Sequence, residues 1–335
     1  MHPDGGFRNG GPMAGRRLGI VFGAGGTVGM AYHAGVTRAL ERVAGIEPAG
    51  ADLLIGTSAG SVIAAYLRSG WTGEDFWQFA LGTHPSLAEL DADEAGRRRR
   101  DIFTPRWRSP LELSRIAVGS AYVLGQAVVR RPALPIPGWL RRRFPGGLFA
   151  MTEGQRRLPA ELAPDWPKEA LWLVAVDINT GRRVVLGREG APEVSVATAV
   201  LASCAIPGFY QPVKVGKMTL VDGGVHSSTN LDLAAKFGCD LIIGVAPMAY
   251  EPVDAPDPLR QVVRLVPTRA LSREAAYARG RGAEVLLIRP TAAELAVHGA
   301  NLMRPDAGEE IAKAAYQATA RLLETDRFRQ VLAAA

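Results

Sequence analysis

Residues 52–67 read DLLIGTSAGSVIAAYL and combine a short apolar strand, a tight turn and an apolar helix. Residues 52–55 have the length and composition of a buried strand, and residues 61–67 are apolar enough for a buried helix. The turn between them, Gly56-Thr57-Ser58-Ala59-Gly60, matches G-x-S-x-G in the strand-to-helix context of a nucleophile elbow. Its small residues permit a sharp turn, and the following helix points its backbone amides at the Ser58 oxygen. The alternative is an ordinary glycine-rich turn without chemistry.

A second glycine loop, FGAGGTVG at residues 22–29, follows an apolar strand at 18–22 and opens a helix that we predict for 29–43. Its glycines have the looser G-x-G-x-x-x-G spacing of a dinucleotide loop, with Glu47 as the acidic residue downstream. The same backbone N–H groups could instead form an oxyanion hole for an ester attacked by Ser58. The presence of both glycine motifs in one chain favours the oxyanion hole.

An acidic residue follows a third short strand. Residues 218–221 predict this strand, and Asp222-Gly223-Gly224 ends it. An aspartate beside two glycines at a strand end faces a cleft with little steric cover, although Asp-Gly is also a common turn dipeptide. His226, slightly further along, could act as a general base that Asp222 orients. A Ser-His-Asp triad therefore stays open beside a Ser-Asp dyad.

The three motifs, in the order glycine loop, G-x-S-x-G and Asp-Gly-Gly, resemble the patatin-like phospholipase family. The resemblance extends over about residues 18–247 and includes the stretch ASCAIPG at 202–208, QPV at 211–213 and Asn230. It implies a serine acyl hydrolase that cleaves acyl esters of lipids or phospholipids through an acyl-enzyme intermediate. Such an enzyme takes a lipid or acyl ester as its substrate and needs no metal and no organic cofactor.

Carried over to this sequence, the family pattern implies that Ser58 is the nucleophile and that Asp222 is its catalytic partner, without a histidine. The implied oxyanion-hole donors are the backbone N–H groups of Gly25 and Gly26. The glycines that support these motifs are Gly23, Gly29, Gly56, Gly60, Gly223 and Gly224.

The glycine loop departs from the family pattern at two positions. Ala24 stands where the family has a glycine, and Val28 stands where it has arginine or lysine. Neither change removes a backbone donor. Val28 does remove a cation that could hold an anionic head group, so neutral esters stay open as substrates beside phospholipids.

Strands alternate with helices along most of the chain, which predicts a largely parallel sheet covered on both faces. We therefore expect a three-layer α/β/α sandwich within a hydrolase domain of residues 16–335. The glycine-rich residues 1–15 are predicted to be a flexible leader. Residues 84–150 are rich in arginine and proline and are predicted to be an inserted helical cap.

The spacing of apolar residues and the positions of prolines predict the boundaries of three helices in the second half of the chain. Residues 193–203 predict a helix that ends before Pro207-Gly208. Residues 259–279 predict a helix that Pro267 interrupts. Residues 307–332 predict a single long helix.

The predicted cap contains an apolar segment at 116–129, IAVGSAYVLGQAVV, that is too short to span a bilayer. Arginines at 97–100 and 141–143 add positive charge around it, and an anionic membrane surface attracts such clusters. We therefore expect a peripheral membrane contact through the cap. The alternatives are a buried structural helix and an arginine-rich face that is simply solvated.

The chain has 335 residues, 47% of them hydrophobic, and a net charge of +6, which excludes a disordered protein. The positive excess is small and lacks interleaved aromatic residues, so no nucleic-acid partner is expected. Cys204 and Cys239 are too few for a disulfide framework or a zinc site. The sequence shows neither a transmembrane-length apolar run nor a signal peptide. We expect a cytoplasmic protein that can touch the inner face of the membrane, with its oligomeric state open.

Three other functions are compatible with this sequence. A Ser-His-Asp esterase would use His226, and an NADP-dependent oxidoreductase would use the glycine loop at 22–29. A catalytically silent protein on the same fold would bind lipid without turnover.

Overall fold

The structure is a computed structural model that describes residues 15–88, 106–107, 147–251, 258–299, 301–304 and 306–333. Its strands are β1 (Leu18–Phe22), β2 (Leu53–Thr57), β3 (Arg106–Trp107), β4 (Phe149–Ala150), β5 (Ala170–Asp177), β6 (Arg182–Leu186), β7 (Val213–Val215), β8 (Met218–Asp222), β9 (Leu241–Val245) and β10 (Glu284–Ile288). Its α-helices are α1 (Gly26–Ala44), α2 (Ala59–Arg68), α3 (Gly73–Leu81), α4 (Thr152–Glu161), α5 (Val196–Ser203), α6 (Asp232–Phe237), α7 (Pro258–Gly280), α8 (Ala292–His298), α9 (Gly308–Leu323) and α10 (Asp326–Ala333).

Eight of these strands form one sheet in the order β10-β9-β1-β2-β5-β8-β7, with β6 also paired to β5. The pairs from β10 to β5 are parallel. The strands β6, β7 and β8 run antiparallel to their neighbours. The predicted mostly parallel sheet is confirmed. The alternation of strands and helices did not indicate that the strands on one side of the sheet, β6, β7 and β8, are antiparallel.

Helices cover both faces of the sheet. Within β1, Ile20 and Phe22 lie in the larger apolar core, which includes residues of α1, α2, α5 and α9. Val21 points the other way, into a second core with residues of α6 and α7. All residues of β1, β2 and β9 are buried, as expected for parallel strands covered on both sides. The three-layer α/β/α sandwich is therefore confirmed.

The prediction that Pro267 interrupts its helix is wrong. Helix α7 continues through Pro267 from its first residue to its last. Proline removes one N–H donor and crowds the preceding turn, which weakens a helix locally. Beyond the proline, Leu271, Ala275 and Ala278 are buried in the second core, and this packing holds α7 against the sheet.

The single helix predicted for residues 307–332 is also wrong, because two helices, α9 and α10, occupy this range. Between them, the hydroxyl of Thr325 donates a 2.7 Å hydrogen bond to the carbonyl of Leu322. A side chain that takes a backbone acceptor in this way competes with the helical pattern. The chain therefore stops α9 at Leu323 and starts α10 at Asp326.

Helix α5 is shorter than the predicted helix at 193–203. It begins at Val196 because Ser195 occupies the N-cap position with an extended backbone. The Ser195 hydroxyl oxygen accepts a 3.2 Å hydrogen bond from the N–H of Thr198. The predicted end at Ser203 is confirmed.

Most of the predicted leader and cap fall outside the described residues, in the ranges 1–14, 89–105 and 108–146. The apolar segment at 116–129 and the two arginine clusters belong to these ranges, so the cap and its membrane contact stay predictions. Of the helices in the described ranges, none is long and apolar enough to cross a membrane.

Candidate active site

The sheet brings the ends of β2 and β8 together on one edge of β5. Strand β2 runs parallel to β5 and ends at Thr57, opposite Val174. Strand β8 runs antiparallel to β5 and ends at Asp222, opposite Ala175, the next residue of β5. Strand β6 pairs along the same part of β5 and so occupies its other edge. The carboxyl ends of β2 and β8 therefore face each other along β5. Ser58 follows β2 directly, so it lies next to Asp222.

Ser58 has a strained backbone at the turn from β2 into α2. Its φ of 53° and ψ of −122° lie in the region that favours glycine. The N–H of Ser58 donates a 3.0 Å hydrogen bond to Oγ of Ser203, which itself donates to the carbonyl of Val174 over 2.7 Å. Ser203 thereby ties the strained residue to β5. Ser58 is 6% exposed, and its side chain lies close enough to the Asp222 carboxylate to lower the pKa of that group.

Two glycines of the G-x-S-x-G turn have no room for a side chain. A Cβ on Gly56 would overlap the backbone of Ser61. A Cβ on Gly60 would overlap the carbonyl of Phe22, the last residue of β1. The close approach of Gly60 to Phe22 packs the first turn of α2 against the end of β1. The glycine loop that follows β1 therefore starts beside Ser58.

Backbone hydrogen bonds hold this glycine loop on the carboxyl side of the sheet. The N–H of Gly23 donates to the carbonyl of Val245 over 2.9 Å, and the N–H of Ala24 donates to that of Ser228 over 2.7 Å. On the other side, Nε2 of His33 donates a 2.7 Å hydrogen bond to the carbonyl of Gly23. Burial lowers the pKa of His33 to about 4, so this ring stays neutral with its proton on Nε2.

Gly25 and Gly26 present their backbone N–H groups at the start of α1. Within the described part of the chain, neither N–H donates to an acceptor. Gly26 has a φ of 60°, and a Cβ on Gly25 would lie 2.6 Å from Cα of Gly29. Gly26 lines the same pocket as Ser58. Two free donors at a helix N-terminus can stabilise a negative oxygen that develops on an ester bound there.

The Asp222 carboxylate is buried, with 5% of the residue exposed. Burial raises the pKa of Asp222 to about 6, against the opposing effects of the Ser58 hydroxyl and of a hydrogen bond from the Gly224 N–H. The Gly224 bond measures 2.7 Å. The backbone is fixed as well, because a Cβ on Gly223 would overlap the carbonyl of Val174. With this pKa the carboxylate is ionised at neutral pH and more basic than an ordinary aspartate, which suits a general base.

Two alternative functions depend on His226 and Glu47. His226 is exposed after the short 3₁₀ helix Gly223–Val225, and the N–H of Gly224 donates to the Asp222 carboxylate. Glu47 precedes β2, so it lies at the amino-terminal end of the parallel strands, whereas the glycine loop lies at their carboxyl end. Dinucleotides bind at the carboxyl ends of parallel strands, and Glu47 is therefore misplaced for holding a ribose.

A small apolar pocket, with a cavity volume of about 10 Å³, opens beside the Ser58 side chain. Burial raises the pKa of the Cys204 thiol far above neutrality, so this group is uncharged and adds to the apolar wall. In the described ranges, no group of three or more His, Cys, Asp or Glu side chains could hold a metal ion. The pocket is lined by Gly26, Ser58, Ala59, Cys204, Ile206, Tyr210 and Met303.

Three residues of this site were not identified as functional from the sequence. Ser203 orients Ser58, and its position in the 202–208 stretch was the available signal. His33 anchors the glycine loop, and it lies among the buried residues of α1 with no motif around it. Met303 follows α8 and carries no motif.

Known proteins from two bacterial genera are similar in sequence to this chain. The chain is 28% identical over 237 residues to the uncharacterised protein YqhO of Bacillus subtilis, covering 67% of this chain and 69% of YqhO. It is 30% identical over 213 residues to the uncharacterised NTE family protein MT2641 of Mycobacterium tuberculosis, covering 64% of this chain and only 27% of that longer relative. Among solved structures, VipD from Legionella pneumophila aligns with a TM-score of 0.44 and 15% identity, over 92% of this chain and 67% of VipD.

The model of the patatin-like phospholipase family matches residues 20–235. The matched range contains the glycine loop, Ser58 and Asp222, and it includes more than half of the chain. The chain therefore belongs to the patatin-like phospholipase family, a family of lipid hydrolases.

Proposed function

We propose that this protein is a serine acyl hydrolase that cleaves acyl esters of lipids through Ser58 and Asp222. The observation that carries the proposal is the approach of the Ser58 side chain to the buried Asp222 carboxylate, whose pKa it lowers, at a turn with a strained backbone. This contact puts a nucleophile and a base side by side. Family membership supports a lipid ester as the substrate.

In the proposed acylation step, the Asp222 carboxylate takes the hydroxyl proton of Ser58 as Oγ attacks the ester carbonyl. The N–H groups of Gly25 and Gly26 donate to the oxyanion that forms. Removal of a single such donor typically costs about 10²–10³ in rate. When the tetrahedral intermediate collapses, the ester C–O bond breaks, and Asp222 returns its proton to the departing alkoxide. The products of this step are the alcohol and an acyl-Ser58 ester.

Deacylation repeats the same chemistry with water. Asp222 removes a proton from a water molecule, whose oxygen attacks the acyl carbonyl, and the same two N–H groups hold the oxyanion. The C–O bond to Ser58 then breaks, and the proton on Asp222 returns to Oγ of Ser58. A carboxylic acid leaves and the enzyme is restored, so one ester and one water are consumed per turnover.

The substrate class is tested by comparing a neutral ester with a phospholipid. Val28, which replaces a cation of the family loop, is buried in the core, so this position offers no charge to a head group. We expect wild-type protein to hydrolyse p-nitrophenyl butyrate and monoacylglycerol at least as fast as phosphatidylcholine in mixed micelles. Release of no fatty acid from any of them, by protein that still binds the micelles, would contradict the hydrolase proposal and favour a silent lipid-binding protein.

The pKa of Asp222 predicts the pH profile of the reaction. Since the base must be ionised, kcat/KM should rise with pH as Asp222 loses its proton and level off above a midpoint near its pKa of about 6. Initial rates on p-nitrophenyl butyrate in buffers of constant ionic strength give this profile. A rate that stays constant as the pH falls well below this midpoint would show that Asp222 is not the base.

Substitution of His226 separates the dyad from the triad. His226 is exposed, so His226→Ala should leave folding unchanged and kcat/KM within about threefold of wild type, with the same pH midpoint. A Ser-His-Asp enzyme that lost its histidine would instead lose a factor of about 10⁴ or more. Parallel initial-rate measurements on the two proteins distinguish these outcomes, and a loss of that size would establish the triad.

A further inference from the structure

We propose that Met303 is a specificity-determining residue that limits the length of the acyl chain accepted beside Ser58. The inference rests on the proposed hydrolase function and adds a residue to the site. Met303 belongs to the segment Asn301–Arg304, which lies between α8 and α9. This segment follows the range 20–235 matched by the family model, so the family pattern assigns it no part in the site.

The backbone of this segment is attached to the glycine loop. The carbonyl of Leu302 accepts a 3.1 Å hydrogen bond from the N–H of Val28 in the first turn of α1. Within the segment, the N–H of Met303 donates to Oδ1 of Asn301 over 3.0 Å, and the N–H of Arg304 donates to the carbonyl of Asn301 over 3.3 Å. These bonds fix where the Met303 side chain leaves the backbone.

The Met303 side chain packs beside Gly26, on the side of the pocket where the oxyanion would form. A Cβ added to Gly26 would lie 3.0 Å from Sδ of Met303 and 2.6 Å from the carbonyl oxygen of Leu302. The absence of a side chain at Gly26 is therefore what allows this segment to approach the free N–H groups. Met303 thus forms a wall next to the position where the ester carbonyl would bind.

Other parts of the pocket wall come from the segment after α5. Ile206 and Tyr210 line the same pocket as Met303 and Ser58. Since these lining groups are apolar, the acyl part of the substrate is the part that suits the pocket. Its cavity volume of about 10 Å³ is smaller than an acyl chain needs, and methionine is the flexible, unbranched member of its lining. The size of residue 303 therefore sets how much acyl chain fits.

The test compares kcat/KM on p-nitrophenyl octanoate and on p-nitrophenyl acetate, whose acyl group has a single methyl beyond the carbonyl and so depends least on the space that residue 303 leaves. Met303→Ala is expected to raise the octanoate-to-acetate ratio about tenfold, and Met303→Trp to lower it about tenfold, since one methylene in a pocket is worth at least this factor. Met218→Ala, a matched change at the far end of β8 from Asp222, should leave the ratio unchanged. Met303→Phe replaces the tryptophan variant if that variant does not fold.

A ratio that stays within about twofold of wild type in the alanine variant and in the bulky variant would overturn the role of Met303. That result is distinct from failure of the proposed function, in which wild type hydrolyses neither ester, or Ser58→Ala hydrolyses both as fast as wild type. A shift produced equally by Met218→Ala would also count against Met303, because it would show a general loosening of the core.

Discussion

Ser58→Ala and Asp222→Asn are each expected to lower kcat/KM for ester hydrolysis by a factor of about 10³ or more. Alanine at 58 removes the attacking oxygen. Asparagine at 222 keeps the size of the side chain and can still accept from Gly224, but its amide cannot take up the Ser58 proton. Loss of either member of such a unit typically removes most of its catalysis. Initial rates on p-nitrophenyl butyrate measure the effect.

A matched serine control is available on the same helix. Ser69 lies at the other end of α2, where its hydroxyl donates a 3.0 Å hydrogen bond to the carbonyl of Ala65. Ser69→Ala should therefore keep the wild-type rate. If Ser58→Ala or Asp222→Asn kept more than about a tenth of the wild-type rate, that residue would have no place in the mechanism.

The Asp222→Asn variant should lose its activity without losing stability. In the folded protein burial raises the pKa of Asp222 from its ordinary value of 3.8 to about 6. A carboxyl group whose pKa is raised on folding favours the fold below its unfolded pKa, and this contribution is lost as the pH rises through the folded pKa. At neutral pH the wild type holds a buried charge, so Tm of Asp222→Asn should be equal to or above that of wild type. A lower Tm would mean that the carboxylate is also a structural partner.

Gly60→Ala is expected to give the largest loss of stability in the site. Its new Cβ would overlap the carbonyl of Phe22, which cannot move away because β1 is hydrogen-bonded to β2 and β9 on its two edges. Overpacking a core costs about 1–3 kcal/mol, and a clash between two backbones belongs at or above the upper end. We expect Tm to fall by at least about 5 °C and ester hydrolysis to fall with it.

Gly50→Ala provides the control for this substitution. A Cβ on Gly50 meets nothing within 4 Å, so the same change of side chain there should leave Tm close to the wild-type value. Thermal unfolding followed by circular dichroism measures all three proteins. Equal Tm values for Gly60→Ala and wild type would contradict the close packing of α2 on β1.

The strands and the two glycine motifs could be predicted because their signals are local. An apolar run followed by small residues indicates a strand and a sharp turn, and β1, β2 and β8 lie where these runs predicted them. The meeting of Ser58 and Asp222 could not be derived from spacing alone. It depends on β8 running antiparallel to β5 and ending opposite Ala175, and no pattern within residues 218–222 indicates which strand they pair with.

The contacts that complete the site are long-range for the same reason. Ser203 reaches Ser58 because α5 ends against β5, and the carbonyl of Leu302 reaches Val28 because the chain returns to α1 after α8. Helix α7 shows the opposite case, in which packing against the sheet overrides the local signal of Pro267. Local composition therefore indicated the candidate groups, while tertiary contacts determine how these groups are held.

Labelling with a fluorophosphonate probe, followed by intact-mass analysis, tests the role of Ser58 most directly. The probe reacts with a serine only when its oxygen is activated as a nucleophile. With detergent present so that lipid-facing surfaces are open, wild-type protein should gain the mass of one probe molecule, and folded Ser58→Ala should gain none. An unmodified wild type under these conditions, or equal labelling of the two proteins, would contradict the proposal that Ser58 is the nucleophile.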